Sequence, residues 1–304
     1  MIGSEFYRGQ GFGNQLWVYA TIKSSANRNL HEFGFIGQDE FKGKKFMKLD
    51  LGKKIHWKKS TLPNKRIPVG FSEYKYEIQT FHPVHKWDLS GFNDCFYNLK
   101  DGTFIDGCFQ SELYVEDYQK EFQETMHVES DFFDGCTIHF RAGDYVQIKD
   151  VFLPKNYYYD AMKRMRELVP GVKFKIVTDG PKIASQLFPG IPIESSGSVR
   201  VYANRWYRQQ KSESIGVDFG KIQNSRHLIL SNSSFSWWGA WTNSRAEIVI
   251  APKYWTRFNS SDGYWGLKDS LTKNWLWLDR SGYISSYDTC LAELSVYRDS
   301  NPWA

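Results

Sequence analysis

Residues 135–145 read Gly135-Cys136-Thr137-Ile138-His139-Phe140-Arg141-Ala142-Gly143-Asp144-Tyr145. Gly135 to Phe140 predicts a strand, which runs into the polar cluster Arg141 to Tyr145 around a turn glycine. Further along, Asn156–Leu168 predicts a helix closed by Pro170-Gly171. Lys173 to Gly180 predicts a strand ending at a turn. Asp218–Asn224 predicts a helix, His227–Leu230 a short buried strand, Ser231–Ser236 a hydroxyl-rich loop, Trp237–Asn243 a helix and Glu247–Pro252 another strand. Strands alternating with helices imply an α/β class with a parallel sheet covered on both faces. Such sheets bind ligands beyond the carboxyl ends of their strands. The polar clusters 139–144, 178–180 and 231–236 all fall at those ends.

Toward the N-terminus, Gly9-Gln10-Gly11-Phe12-Gly13 predicts a flexible turn, and Asn14–Asn27 a helix with Leu16, Tyr19, Ala20 and Lys23 at helical spacing. A glycine-rich turn opening a helix presents free backbone N–H groups and the positive end of the dipole. The stretch 30–105 mixes Lys-rich loops with short aromatic strands such as Cys95–Leu99, and a helix is expected near 114–125. At 304 residues the chain is about two domains long. The expected division is 1–133 and 134–304. Residues 271–304, with Trp275, Trp277 and Tyr287, are expected to return toward the first domain.

Composition narrows the classes. A 41% apolar and 24% charged chain folds rather than remaining disordered. No apolar run is long enough for a transmembrane helix, and the start Met1–Phe6 lacks signal-peptide features. The expectation is therefore a cytoplasmic protein. Cys95, Cys108, Cys136 and Cys290 form no C-x-x-C pair and suggest neither zinc nor disulfides. The net charge is +5, and residues 42–66 hold ten basic residues opposed by Asp50 alone. A solvated face is the plain reading; peripheral contact with an anionic membrane is the alternative. No recognition module surrounds the patch, so nucleic acid is not expected. The 17% aromatic content suits a packed core and also sugar stacking.

Arg141, at a strand end beside a turn, offers a two-pronged grip on phosphate. His139 lies on the same strand face, and Asp144 would orient Arg141 or anchor its own loop. Asn232, Ser233, Ser234 and Phe235 join a strand to a helix, where hydroxyls and N–H groups make a second phosphate cradle. Asp179 is a carboxylate able to accept two N–H donors from a guanine edge. The sequence has no Asp-x-Asp pair, so Arg141 and N–H groups are expected to neutralise a leaving diphosphate without metal. It has no P-loop.

Four blocks appear in order: Gly11-Phe12-Gly13-Asn14-Gln15, Phe109-Gln110-Ser111-Glu112, His139-Phe140-Arg141-Ala142-Gly143-Asp144-Tyr145, and Asn232-Ser233-Ser234-Phe235-Ser236-Trp237-Trp238-Gly239-Ala240-Trp241. Together they resemble glycosyltransferase family 11, the α-1,2-fucosyltransferases. The resemblance implies a GT-B type fold, two Rossmann-like domains facing each other across a cleft. It implies inverting transfer of L-fucose from GDP-fucose to the 2-hydroxyl of a terminal galactose on an oligosaccharide or glycolipid. No cofactor or metal would be required.

By the same resemblance Arg141 would bind the β-phosphate, His139 would lie beside the nucleotide, and Ser233, Ser234 and Phe235 would serve the diphosphate. Asp179 would read guanine, and Gly13 and Asn14 would face the fucose. Gln15 and Glu112 are acceptor-side candidates, and Asp144, Asp150 and Glu112 are candidates for the general base. The chain departs from the family pattern at Gln10, Trp17-Val18, Ala142 and Gly180. Alternatives are transfer of another GDP-sugar or in another linkage, and an inactive carbohydrate-binding relative.

Overall fold

The computed structural model describes residues 1–59, 92–195, 212–265 and 269–301, with the backbone of short strands between 66 and 89. Two α/β units face each other. The first carries a fully parallel sheet of β1 (Ile2–Glu5), β2 (Phe33–Ile36), β3 (Lys53–Lys54), β4 (Glu73–Tyr76) and β5 (Thr103–Asp106), in the spatial order β3-β2-β1-β5-β4. Helix α1 (Phe12–Arg28) connects β1 to β2.

The second sheet contains β6 (Phe133–Phe140), β7 (Phe174–Thr178), β8 (Ser225–Ile229), β9 (Ile248–Pro252), β10 (Leu276–Leu278) and β11 (Ile284–Ser285). Its order is β7-β6-β8-β9-β10-β11, parallel except for the β10–β11 pair. The remaining helices are α2 (Gln119–Thr125), α3 (Lys155–Leu168), α4 (Pro181–Leu187), α5 (Ser212–Gln223), α6 (Ser234–Trp241) and α7 (Tyr287–Ser300). This is the expected GT-B arrangement, with the cleft lined from both units.

Strand alternation explains the layers. Leu228, Leu230, Val249, Ala251 and Trp277 enter one buried cluster, and their neighbours Ile229, Ile250 and Leu278 enter another. Successive strand side chains point to opposite faces, so a strand buried on both reads as an uninterrupted apolar run. The outer cluster is closed by Tyr157, Tyr158, Ala161, Met162 and Met165 of α3. The inner cluster takes Phe219 and Ile222 from α5, Trp237, Trp238 and Trp241 from α6, and Leu16, Trp17 and Ile22 from α1. One core therefore continues through both units. At its centre the rings of Trp17 and Trp237 lie 4.1 Å apart.

Several elements differ from expectation. Helix α1 begins at Phe12, so Phe12 and Gly13 belong to the helix rather than to the turn expected before it. A Cβ on Gly13 would lie 2.4 Å from the Ser234 carbonyl carbon, so the glycine is there for close helix packing. Cys95–Leu99, expected as a short strand, falls instead on a 3-10 turn over Asp94–Asn98 and its C-cap Leu99, with the Asn93 side chain accepting from Cys95 N at 3.0 Å. Helix α6 begins at Ser234, so the hydroxyl-rich loop ends at Ser233. Helix α5 begins earlier than expected, at Ser212, and α2 later, after two 3-10 turns.

Asp269, just ahead of the stretch 271–304, accepts from Phe92 N at 2.9 Å and from Ser111 Oγ, through its backbone carbonyl, at 3.1 Å, and within that stretch Lys273 N donates to Glu112 Oε2 of the first unit at 2.9 Å. None of the four cysteines is in a disulfide. The basic stretch 42–66 lies partly outside the described residues. Within them Lys44 and Lys54 share Asp39, and Lys53 pairs with Glu32. No helix among the described residues is long and apolar enough to cross a membrane.

Candidate active site

The ends of β6, β7 and β8 and the starts of α1 and α6 meet at a cavity of about 380 Å³. It is lined by Gly13, Asn14, His139, Arg141, Asp144, Asp179, Asn232, Ser233, Ser234 and Phe235, ten of the residues singled out in the sequence. Helix α1 is preceded by Gly11 and α6 by Ser233, both extended and neither making a side-chain cap. Neither helix has an acidic residue in its first turn. Two uncapped, positively polarised helix ends thus face one space.

Arg141 follows β6 and turns into the cleft with His139. Its Nη1 donates to Asp179 and its Nη2 to Asp144, while its Nε has no partner among the described residues. The Tyr145 ring lies 5.0 Å from the guanidinium carbon. Burial opposes the arginine's charge, but Asp179 and Asp144 outweigh it and raise its pKa. Asp179 also accepts from Ala142 N at 2.8 Å, so both of its oxygens are engaged within the protein. Asp179 thus holds Arg141, a structural role the sequence did not assign to it, while it lines the cleft where a guanine edge was expected. Gly143, at φ +31°, permits this packing, since a Cβ there would lie 2.4 Å from Asp179 Oδ2.

His139 is 4% exposed, and its Nδ1 sits 2.7 Å from Ser231 Oγ. Burial, then the neighbouring Arg141, pushes its pKa down to about 3, so the ring is neutral. Ser234 Oγ donates to Asn14 Oδ1 at 2.6 Å. Its hydroxyl proton is therefore committed, and its backbone N–H remains as the donor of the helix start. Asn232 donates Nδ2 to Val151 O at 2.8 Å, and its Oδ1 is buried without a partner among the described residues.

Three expected site residues lie elsewhere. Gln15 is fully buried and spans Glu40 O at 2.8 Å and Lys42 N at 2.9 Å, bracing the turn after β2. Glu112 accepts from Trp241 Nε1 at 2.8 Å and Lys273 N at 2.9 Å. Burial raises its pKa, and it borders a separate cavity of about 590 Å³. Asp150 is exposed on a loop held from beneath by Asn259, whose Nδ2 donates to Asp150 O at 3.2 Å. None of the three lines the cleft.

The cleft also contains residues that the sequence alone did not assign to it: Gln110, Tyr145, Asp218, Trp255 and Thr256. Asp218 had a legible signal. It is 4% exposed and lies within the apolar stripe Ile215–Phe219–Ile222 of α5, where a carboxylate is out of place. Tyr254 and Trp255 are consecutive residues at positive φ, 65° and 50°, a constraint that sequence does not announce. Among the described residues no three His, Cys, Asp or Glu side chains are grouped to hold a metal ion.

The chain is similar to known proteins. The family model described as Glycosyl transferase family 11 matches residues 71–279. The chain is 22% identical over 193 residues to the O-antigen biosynthesis glycosyltransferase WbnK of Escherichia coli, covering 55% of this chain and 60% of that one. It is 25% identical over 180 residues to an alpha-1,2-colitosyltransferase of Escherichia coli, covering 52% and 58%. The chain thus spans about six-tenths of the length of the curated relatives it matches. Among solved structures, the fucosyltransferase NodZ from Bradyrhizobium overlaps with a TM-score of 0.42 at 12% identity, covering 78% of this chain and 91% of that one.

Proposed function

This chain belongs to glycosyl transferase family 11, and from that premise we propose that it transfers L-fucose from GDP-fucose to the 2-hydroxyl of a terminal galactose. The transfer inverts the anomeric centre. The observation that carries the reading is the convergence of two uncapped helix N-termini and Arg141 on one cleft. A diphosphate is the group such a site suits. Arg141 gives one N–H to each carboxylate; among the described residues the other three of its five, Nε–H included, have no partner.

In the reaction the bond between the anomeric carbon and the β-phosphate oxygen breaks, and that oxygen keeps the electron pair. The acceptor oxygen attacks from the opposite face and releases its proton to water. Charge grows on GDP in an oxocarbenium-like transition state. Arg141 and the N–H groups at the starts of α1 and α6 bind that charge more tightly as it grows, which lowers the barrier without a metal ion. Asp218 of α5, 4% exposed, lines the same cleft, and we assign the guanine edge to it on that position.

The similarity to an alpha-1,2-colitosyltransferase favours a second reading, transfer of a colitosyl unit through the same site. The acceptor would be an oligosaccharide or glycolipid, with basic residues of 42–66 toward anionic lipid. Flotation with anionic vesicles tests that placement, and absence of co-flotation overturns it.

The deciding experiment is calorimetric titration with GDP, GDP-fucose and UDP in chelator, on the protein and on Arg141→Ala, followed by product analysis with galactosides. Guanine-selective binding lost in the variant, with an α-1,2-linked product, supports the proposal. Equal binding of UDP, or no GDP binding, overturns it.

A further inference from the structure

Gln110 is not among the groups assigned above to the diphosphate, yet the backbone is bent to deliver it to the cleft. Its predecessor Phe109 is fully buried and adopts φ +50°, a left-handed conformation rare for an aromatic residue. The Phe109 ring is fixed between Phe96, at 5.6 Å, and Tyr114, at 5.9 Å. On the other side, Ser111 N donates to Phe109 O at 2.9 Å and Ser111 Oγ to Asp269 O at 3.1 Å. The chain is thus pinned on both sides of Gln110, and the residue itself lines the cleft.

There it meets Asn14. Asn14 Oδ1 accepts from Ser234 Oγ at 2.6 Å and, through a long contact of 3.4 Å, from Gln110 Nε2. These bonds set the orientation of the Asn14 amide. They leave Asn14 Nδ2, Gln110 Oε1 and the second Gln110 N–H without hydrogen-bond partners among the described residues. The pair therefore offers donors and an acceptor side by side, uncharged, next to the helix starts assigned to the diphosphate. A sugar hydroxyl both donates and accepts, and neighbouring hydroxyls suit such an amide pair. A bound phosphate, which only accepts, would leave the Gln110 oxygen unsatisfied.

We propose that Gln110, steadied by Asn14, is a specificity-determining residue that reads a hydroxyl of the transferred sugar. The inference rests on the cleft being a nucleotide-sugar site. The test uses Gln110→Leu, similar in size, with Gln110→Glu as a second variant that keeps an acceptor. GDP, GDP-fucose and the GDP-fucose analogues lacking the 2-, 3- or 4-hydroxyl are titrated into each.

GDP affinity should stay within about twofold, since GDP carries no sugar and its retention also reports an intact fold. The intact protein should bind one deoxy analogue about tenfold more weakly than GDP-fucose, and Gln110→Leu should lose that difference. Gln110→Glu should retain part of it. If every deoxy analogue is discriminated equally by the protein and Gln110→Leu, the inference is overturned. If the intact protein binds GDP but prefers no analogue to another, it is also overturned. Failure of the intact protein to bind GDP at all would instead overturn the underlying function.

Discussion

Arg141 and Asp179 hold each other from the ends of adjacent strands. Phe140 and Thr178 are partners in the β6–β7 register, so each of the two residues is the next step beyond its strand. Asp179→Asn should lower the rate of donor turnover about tenfold to a hundredfold by loosening Arg141. Arg141→Ala removes the group itself and should cost about 2.7–4 kcal/mol of transition-state stabilisation. The preference for GDP over other nucleoside diphosphates should survive in Asp179→Asn. Steady-state kinetics with competing nucleotides checks this, and loss of base preference would restore guanine reading to Asp179.

Gly13→Ala should destabilise the protein by about 1–3 kcal/mol, because its Cβ meets backbone atoms of Ser234 and Phe235 that no rotamer change can move aside. Gly9 offers the control. A Cβ there meets no atom within 4 Å, though its φ of +83° adds some backbone strain. Urea unfolding of both variants tests whether the closeness of α1 and α6 is the constraint.

Acid should weaken the fold through His139. Its native pKa lies near 3, against an ordinary 6.5. Below about pH 6.5 the unfolded chain takes up a proton that the native state refuses. Stability then falls with decreasing pH, by up to about 1.4 kcal/mol per unit, until the native pKa is reached. His139→Asn should show a smaller drop in urea midpoint between about pH 7.5 and about pH 5. An equal drop in both proteins would place the acid sensitivity elsewhere.

Glu112→Ala should cost about 1–3 kcal/mol in stability, since Trp241 Nε1 and Lys273 N lose their acceptor in a buried setting. It should leave GDP binding unchanged. A variant with native stability and impaired transfer would return Glu112 to the acceptor side.

The second unit was legible because its strands are buried on both faces. Runs such as Leu228-Ile229-Leu230 and Ile248-Val249-Ile250 leave little choice. The ligand-facing strand ends followed from topology alone. The helical start at Gly13 was hidden because its cause, Ser234, is far away in the sequence. Gln15 shows why adjacency misleads: on a helix the next residue turns about 100°, so Asn14 meets the cleft and Gln15 the opposite wall. Gln110 and Glu112 parted for a similar reason, one delivered to the cleft by the left-handed Phe109 and the other buried under Trp241.

The core that runs unbroken from Leu16 and Trp17 to Trp237 and Trp277 has a consequence for how donor is captured. Separating the two units would expose those rings to water, so wide opening as rigid lobes is costly. The pocket is therefore built before its occupant arrives. Little ordering entropy is left to be lost at encounter, and tight binding need not wait on closure of the whole molecule.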